Sequence, residues 1–218
     1  MKKIMLAAAF VLLSCGTAFA QFTNASGSTK STGSSTPVEI KDWTSVYVQY
    51  NPSRFIPKSG DSESFNRFTF GVSRAINVMQ SQPLYIEVGG NLQFGFTSEF
   101  VGSELKWKML SIGVPVNLTY AWHITNKFAI APYFGFNMRV NVWGNLTHDD
   151  YDKSLDIFDD DDVSDALQHK RFQIGWQIGA NFQFNDDIYI GAGYGTDFME
   201  IFEKCKIGRA HITLGLMF

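Results

Sequence analysis

The chain has 218 residues, 45% of them hydrophobic and 18% charged, with a formal net charge of −3. It is modestly acidic and carries no basic patch, which argues against a nucleic-acid partner. Past the N-terminal segment no apolar run reaches helix-spanning length, so any membrane span must be made of strands.

Residues 1–20 combine a basic start (Lys2, Lys3), an apolar run from Ile4 to Leu13, and Ala18-Phe19-Ala20 ahead of Gln21. This predicts a cleaved secretory signal peptide of the small-x-small type, with an apolar run too short to span a bilayer. Leu12-Leu13-Ser14-Cys15 competes as a loose lipobox that would make Cys15 a lipidated first residue. If Cys15 leaves with the signal, Cys205 remains alone and no internal disulfide can form. Cys205 then reads as a reactive or intermolecular thiol, or as a buried unpaired side chain. Residues 21–42 form a flexible leader, because the Ser/Thr/Gly tract from Gln21 to Thr36 cannot bury enough apolar surface to order itself. Residues 43–218 are expected to form one β-domain.

From Trp43 onward the pattern alternates with period two. Apolar residues on one parity are Val46, Val48 and Tyr50 in the first stretch and Phe68, Phe70 and Val72 in the second. The third runs from Tyr85 to Phe96 without a break, about twice the length of a strand in an ordinary half-buried sheet. The fourth carries Leu110 to Trp122, the fifth Phe128 to Val142, the sixth Phe172 to Phe184, and the seventh Ile188 to Tyr194. The eighth alternates Ala210, Ile212, Leu214, Leu216 and Phe218 with Arg209, His211, Thr213, Gly215 and Met217. Short connections (Asn77 to Pro83, His123 to Lys127, Asn185 to Asp187) alternate with long polar ones (Asn51 to Ser64, Thr97 to Glu104, Gly144 to Lys170, Asp197 to Lys204). An even strand count with this alternation is the layout of a membrane barrel with both termini at the short-turn end. Lys106 and Lys108 share parity with the apolar face, so either that part of the fourth strand stands above the bilayer or a bulge near Met109 shifts its register.

Pro83-Leu84-Tyr85-Ile86-Glu87-Val88-Gly89, Val114-Pro115-Val116-Asn117-Leu118-Thr119-Tyr120 and Ile130-Ala131-Pro132-Tyr133-Phe134-Gly135 resemble the small outer-membrane β-barrel domain family, often called porin-family and similar in architecture to the OmpX and OmpA barrels. The resemblance spans roughly Trp43 to Phe218. It implies an all-β fold: an eight-stranded antiparallel up-and-down transmembrane barrel with short periplasmic turns and long extracellular loops. It also implies the bacterial outer membrane as location, outer-membrane lipid and lipopolysaccharide as surroundings, and Phe218 as the terminal aromatic read by the barrel-assembly machinery. The family has no shared catalytic residues to carry over.

A soluble eight-stranded barrel of the lipocalin kind would show the same alternation with the apolar side chains inside. Large apolar side chains with aromatics toward strand ends, opposite a face of Gly, Asn, Gln and a few charges, favour the lipid-facing assignment. The lumen set then includes Arg67, Glu87, Arg139, Arg171, Arg209 and His211, and Glu87 among the arginines is a candidate plug. It reads either as a gate or ion path, or as a packed polar core.

Two further features bear on function. His211-Ile212-Thr213 resembles the His-x-Ser spacing of an outer-membrane lipid A deacylase, but its parity points His211 into the lumen. His123 sits in a short turn, and His148 and His169 flank the long loop without a nucleophile at recognisable spacing, so no catalytic residue, cofactor or resident metal is expected. In the acidic loop, Asp150, Asp152, Ser154, Asp156 and Asp161 copy part of the ligand spacing of a calcium loop, with Leu155 where the turn glycine belongs. The same loop reads as a cation-bridged contact with lipopolysaccharide or an extracellular partner through residues 144–170, or as solvated self-repelling carboxylates. The leading expectation is a non-enzymatic structural or surface-interaction protein. A narrow or gated channel for small solutes is the alternative, with a lipid-modifying enzyme or a lipocalin-like binder behind it.

Overall fold

The computed structural model describes residues 40–58, 60, 62–98, 105–148, 151–159, 164 and 168–218. The expected signal peptide and most of the leader, together with Asp150 and Asp161, lie outside the described residues. The strands are β1 (Trp43–Pro57), β2 (Glu63–Asn77), β3 (Leu84–Thr97), β4 (Leu105–Tyr120), β5 (Trp122–Thr125), β6 (Phe128–His148), β7 (Tyr151–Asp156), β8 (Phe172–Phe184), β9 (Ile188–Asp197) and β10 (Cys205–Met217). Eight of them are staves of one antiparallel cylinder, in the order β1-β2-β3-β4-β6-β8-β9-β10, which closes where β10 pairs β1. Short β5 continues β4 past Ala121 along β6, and β7 folds back on the far end of β6. Thr44 and Phe218 exchange backbone hydrogen bonds of 2.8 and 2.9 Å, so the chain's last residue takes part in the closure. A closed ladder satisfies each of the eight staves without leaving an edge among them, as a hydrocarbon solvent demands.

The period-two pattern sorts the side chains as expected over most of the wall. Phe70, Leu92, Phe134, Ile178, Ile190 and Leu214 all project outward and exposed, and their neighbours make a continuous apolar belt. A soluble monomer rarely shows a contiguous apolar patch of more than a few hundred Å². The opposite parity is buried and polar, with Ser45, Thr69, Asn91, Gln93, Asn117, Gln177 and Thr213 inside. The outer belt therefore faces lipid.

The turns at the termini's end are short, and one shows why its residues are there. Asn185 and Asp186 have φ of 52° and 60°, and Asp187 N–H donates to Phe184 O at 3.1 Å. Two successive left-handed residues give the twist a two-residue hairpin needs, and Asn and Asp tolerate that region better than other side chains with a Cβ.

At the other end the strands outrun the sequence expectation. β1 continues to Pro57 and β2 starts at Glu63, so most of the segment from Asn51 to Ser64 is paired strand. β6 reaches His148, β7 occupies part of the expected loop 144–170, and β9 includes Asp197. The reason is a reversal of faces: here Phe55, Phe65, Trp107, Met109 and Ile207 point inward, while Arg54, Ser64, Lys106 and Lys108 point outward. Above the hydrocarbon the solvent is water, and the wall obeys the rule of a soluble barrel. Lys106 and Lys108 thus stand above the bilayer, and β4 keeps one parity throughout. A bulge does occur at that level, but in the neighbouring stave. Leu110 pairs with Trp143 and Ser111 with Asn141, leaving Val142 as the extra residue of β6.

Candidate functional site

The lumen is stacked in layers. At the turn end Trp43 lies against Tyr85, with ring centroids 4.2 Å apart, and Ala75, Ala121 and Ala131 fill the space beside them. Tyr47, Tyr189 and Met217 form a second cluster that also packs against Trp43. The small residues opposite the rings are required: a Cβ on Gly215 would fall within the Tyr189 ring, and one on Gly71 within that of Tyr47.

Glu87 lies in the next layer. Ser73 Oγ donates to its Oε1 at 2.5 Å, and Ser73 is in turn linked to Ser45 Oγ at 2.7 Å. Beside it is a cavity of about 30 Å³, room for one small ion or water, lined by Tyr47, Asn91, Asn117, Tyr133, Asn137 and Gln177 among others. His211 hydrogen-bonds through Nε2 to Tyr133 Oη at 2.5 Å.

The arginines come above. Arg139 Nη2 donates to Asp197 Oδ2 at 2.6 Å, and Arg209 Nη1 to Asp197 Oδ1 at 3.4 Å. One carboxylate thus holds two guanidinium groups, and Arg209 Nη2 also reaches Gln177 Oε1 at 3.4 Å. Arg67 is 1% exposed; its Nη1 donates to Gln93 Oε1 at 3.1 Å, and the group lies 5.3 Å from the Phe65 ring centre.

An apolar cap seals the loop end. Phe55, Phe65, Trp107, Met109 and Ile207 come from the staves, while Ile157 and Ile201 reach in from the loops. Each such large side chain, fully buried, contributes about 1.5–3 kcal/mol relative to exposure. Backbone bonds stitch the loops over the mouth: His169 N–H to Ile157 O at 2.8 Å and Lys170 N–H to Ile201 O at 2.6 Å. Trp107 Nε1 donates to buried His169 Nε2 at 3.2 Å.

Of the six predicted lumen residues the structure gathers Arg67, Glu87, Arg139, Arg209 and His211 inside. Arg171 is a correction: it precedes β8, is exposed at the rim, and lays its guanidinium 4.4 Å from the centre of the Phe158 ring. Its parity fits the lumen, but the strand that parity belongs to starts one residue later. Glu87 is bonded to Ser73 rather than to an arginine. The acid that pairs the arginines is Asp197, missed because it opens an expected loop. Continuing the odd parity Tyr189, Gly191, Gly193, Gly195 by one step would have found it.

In the acidic segment, residues 151–156 are extended, and an extended chain does not wrap its alternate residues around one ion. Asp156 Oδ1 accepts from Phe158 N–H at 2.9 Å and Ser154 Oγ from Asn145 Nδ2 at 2.9 Å. Among the described residues no group of three or more His, Cys, Asp or Glu side chains is placed to hold a metal. Cys205 is free and buried within the cap, and Phe218 projects outward, 70% exposed.

No protein-family model matches the chain, and no curated protein matches it. Solved structures do. The neisserial surface protein A is similar over 80% of this chain and 97% of its own, at 12% identity and a TM-score of 0.57. Ail, the attachment invasion locus protein of Yersinia pestis, crystallised with the heparin analogue sucrose octasulfate, is similar over 82% of this chain and 99% of its own (12% identity, TM-score 0.48). The outer-membrane enzyme PagL is similar over 78% and 97% (9% identity, TM-score 0.45). The chain has the fold of a small outer-membrane β-barrel.

Proposed function

We propose that the protein is a non-enzymatic barrel of the bacterial outer membrane, exported by a cleaved signal peptide, that acts at the cell surface through the loops of its sealed end. The observation that carries this reading is the closure of the lumen. An apolar cap drawn from staves and loops covers one end, tyrosines and Trp43 fill the other, and the space between holds a cavity of about 30 Å³. Such an interior suits a rigid support for external loops and offers no path to a hydrated solute. The one histidine on the barrel wall that resembled a lipid-enzyme motif, His211, is inside and bonded to Tyr133, away from lipid. The segment beyond β6, with its acidic residues and the β6–β7 hairpin, is the part that would meet lipopolysaccharide, through bridging cations, or an extracellular partner.

The test has two parts. Protein refolded into a planar bilayer should give no discrete conductance steps; ohmic steps from the intact chain would favour a small-solute channel instead. Replacing residues 159–167 by a short Gly/Ser linker, which keeps Ile157 in the cap, should leave the heat-modifiable barrel on gels and abolish any adhesion the intact protein confers on cells. Adhesion retained at full strength would put the interaction elsewhere.

A further inference from the structure

The charge in the arginine layer does not balance. Asp197 offers two oxygens, and Arg139 and Arg209 take one each. Glu87 lies in the layer below, where its carboxylate accepts from Ser73 Oγ. Arg67 is left with one amide acceptor, Gln93, while its Nε and Nη2 are buried and meet no protein acceptor. Arg139 Nε is in the same position. The charged groups that act most on Arg67 are Arg139 and Arg209, which repel it, and Asp197, already shared. A guanidinium cannot shed its proton, so burial without a counter-charge carries a desolvation cost that some other group must offset. The residues that would close the layer from below, Gln93, Asn91 and Gln177, are amides and bring no charge. Water could satisfy the stranded N–H groups but would leave the excess positive charge.

We propose that Arg67, with Arg139 beside it, forms a binding site in the lumen for a small monovalent inorganic anion. The donors are the unpaired Nε and Nη2 of Arg67 and Nε of Arg139. The anion supplies a second negative charge to the layer beside that of Asp197, set against the three guanidinium groups.

The test uses the mature chain refolded in detergent micelles. Its unfolding midpoint, read from the folded band on unboiled gels, is compared in bromide and in gluconate at equal ionic strength, for wild type and Arg67→Met. The expected result is a midpoint several degrees higher in bromide for wild type, with that difference lost in Arg67→Met. Equal midpoints for wild type in the two salts, or a bromide advantage that survives Arg67→Met, would overturn the proposal. Crystals of the wild-type protein grown in bromide give a readout that needs no variant to fold. An anomalous peak between Arg67 and Arg139 supports the site, and bromide confined to the outer surface refutes it.

Discussion

Removing the carboxylate of Asp197 should be the most damaging single polar change in the barrel. Both it and Arg139 are 1% exposed, and their 2.6 Å contact is charge-assisted in a site remote from water. Arg209 is held by the same group at 3.4 Å, so Asp197→Ala strands two buried guanidinium groups. Breaking one buried pair costs about 3–5 kcal/mol, most of it the penalty of the charge left behind. The longer second contact places the expected loss for Asp197→Ala near the top of that range, about 5 kcal/mol. Asp197→Asn keeps one acceptor oxygen and should lose less, about 3 kcal/mol. Because the damage lies in the orphaned charge, adding Arg139→Met to Asp197→Ala should recover part of the loss, a non-additivity that a double-mutant cycle reads directly. The assay is reversible denaturant unfolding in lipid vesicles followed by tryptophan emission. If Asp197→Ala stayed within about 1 kcal/mol of wild type, or Arg139→Met deepened the loss, the buried layer would not be the electrostatic unit described.

Three further outcomes are expected. Ile178→Arg, on the lipid face, should cost ~2–4 kcal/mol in the same vesicle titration if it lies near the midplane, and an unchanged midpoint would mean that the outward parity does not meet hydrocarbon. Gly215→Val should clash with the Tyr189 ring and cost at least the ~1–3 kcal/mol of an overpacked core, whereas Gly90→Val points into open space and should be close to neutral; equal losses would refute the packing described. At the rim, Lys58 Nζ lies 3.0 Å from Glu200 Oε1 and holds that carboxyl below the usual carboxylate range. A depressed value means that the contact's small contribution is present above the unfolded-state pKa and fades as pH falls through the folded one. A carboxyl-carbon NMR titration of Glu200 should therefore move to higher pH in Lys58→Met, and an unmoved midpoint would show that the two groups do not interact in solution.

The part of the fold legible in the sequence was the part immersed in lipid. There one face must be apolar and the other polar over ten or more residues, so parity alone assigns strands, faces and the lumen positions of Arg67, Glu87, Arg139, Arg209 and His211. Legibility failed where the solvent changes. From Asn51 to Pro57 and from Glu63 to Phe65 the inward residues turn from Asn and Ser to Phe and the outward ones become Arg and Ser, which read as a loop because neither face stayed apolar. Lys106 and Lys108 carried the same signal and were the one place where it surfaced. Asp197 was lost at the same boundary: a carboxylate after a run of alternating glycines looks like a loop opener until a pair of buried arginines is known to need it. The cap was beyond reach because Ile157 and Ile201 come from segments whose folding back depends on Phe55, Phe65 and Trp107, far away in the chain.

The reversal of faces along the staves has a bearing on how the molecule gets into its membrane and why it stays. The outward positions at the loop end include Arg54, Lys106 and Lys108, exposed, and half-buried Lys206. To reach the far leaflet these side chains cross the hydrocarbon once, each at about 2–4 kcal/mol near the midplane. Afterwards the same toll opposes withdrawal. The charged collar thus acts as a barb that holds the barrel in its orientation once it is in place.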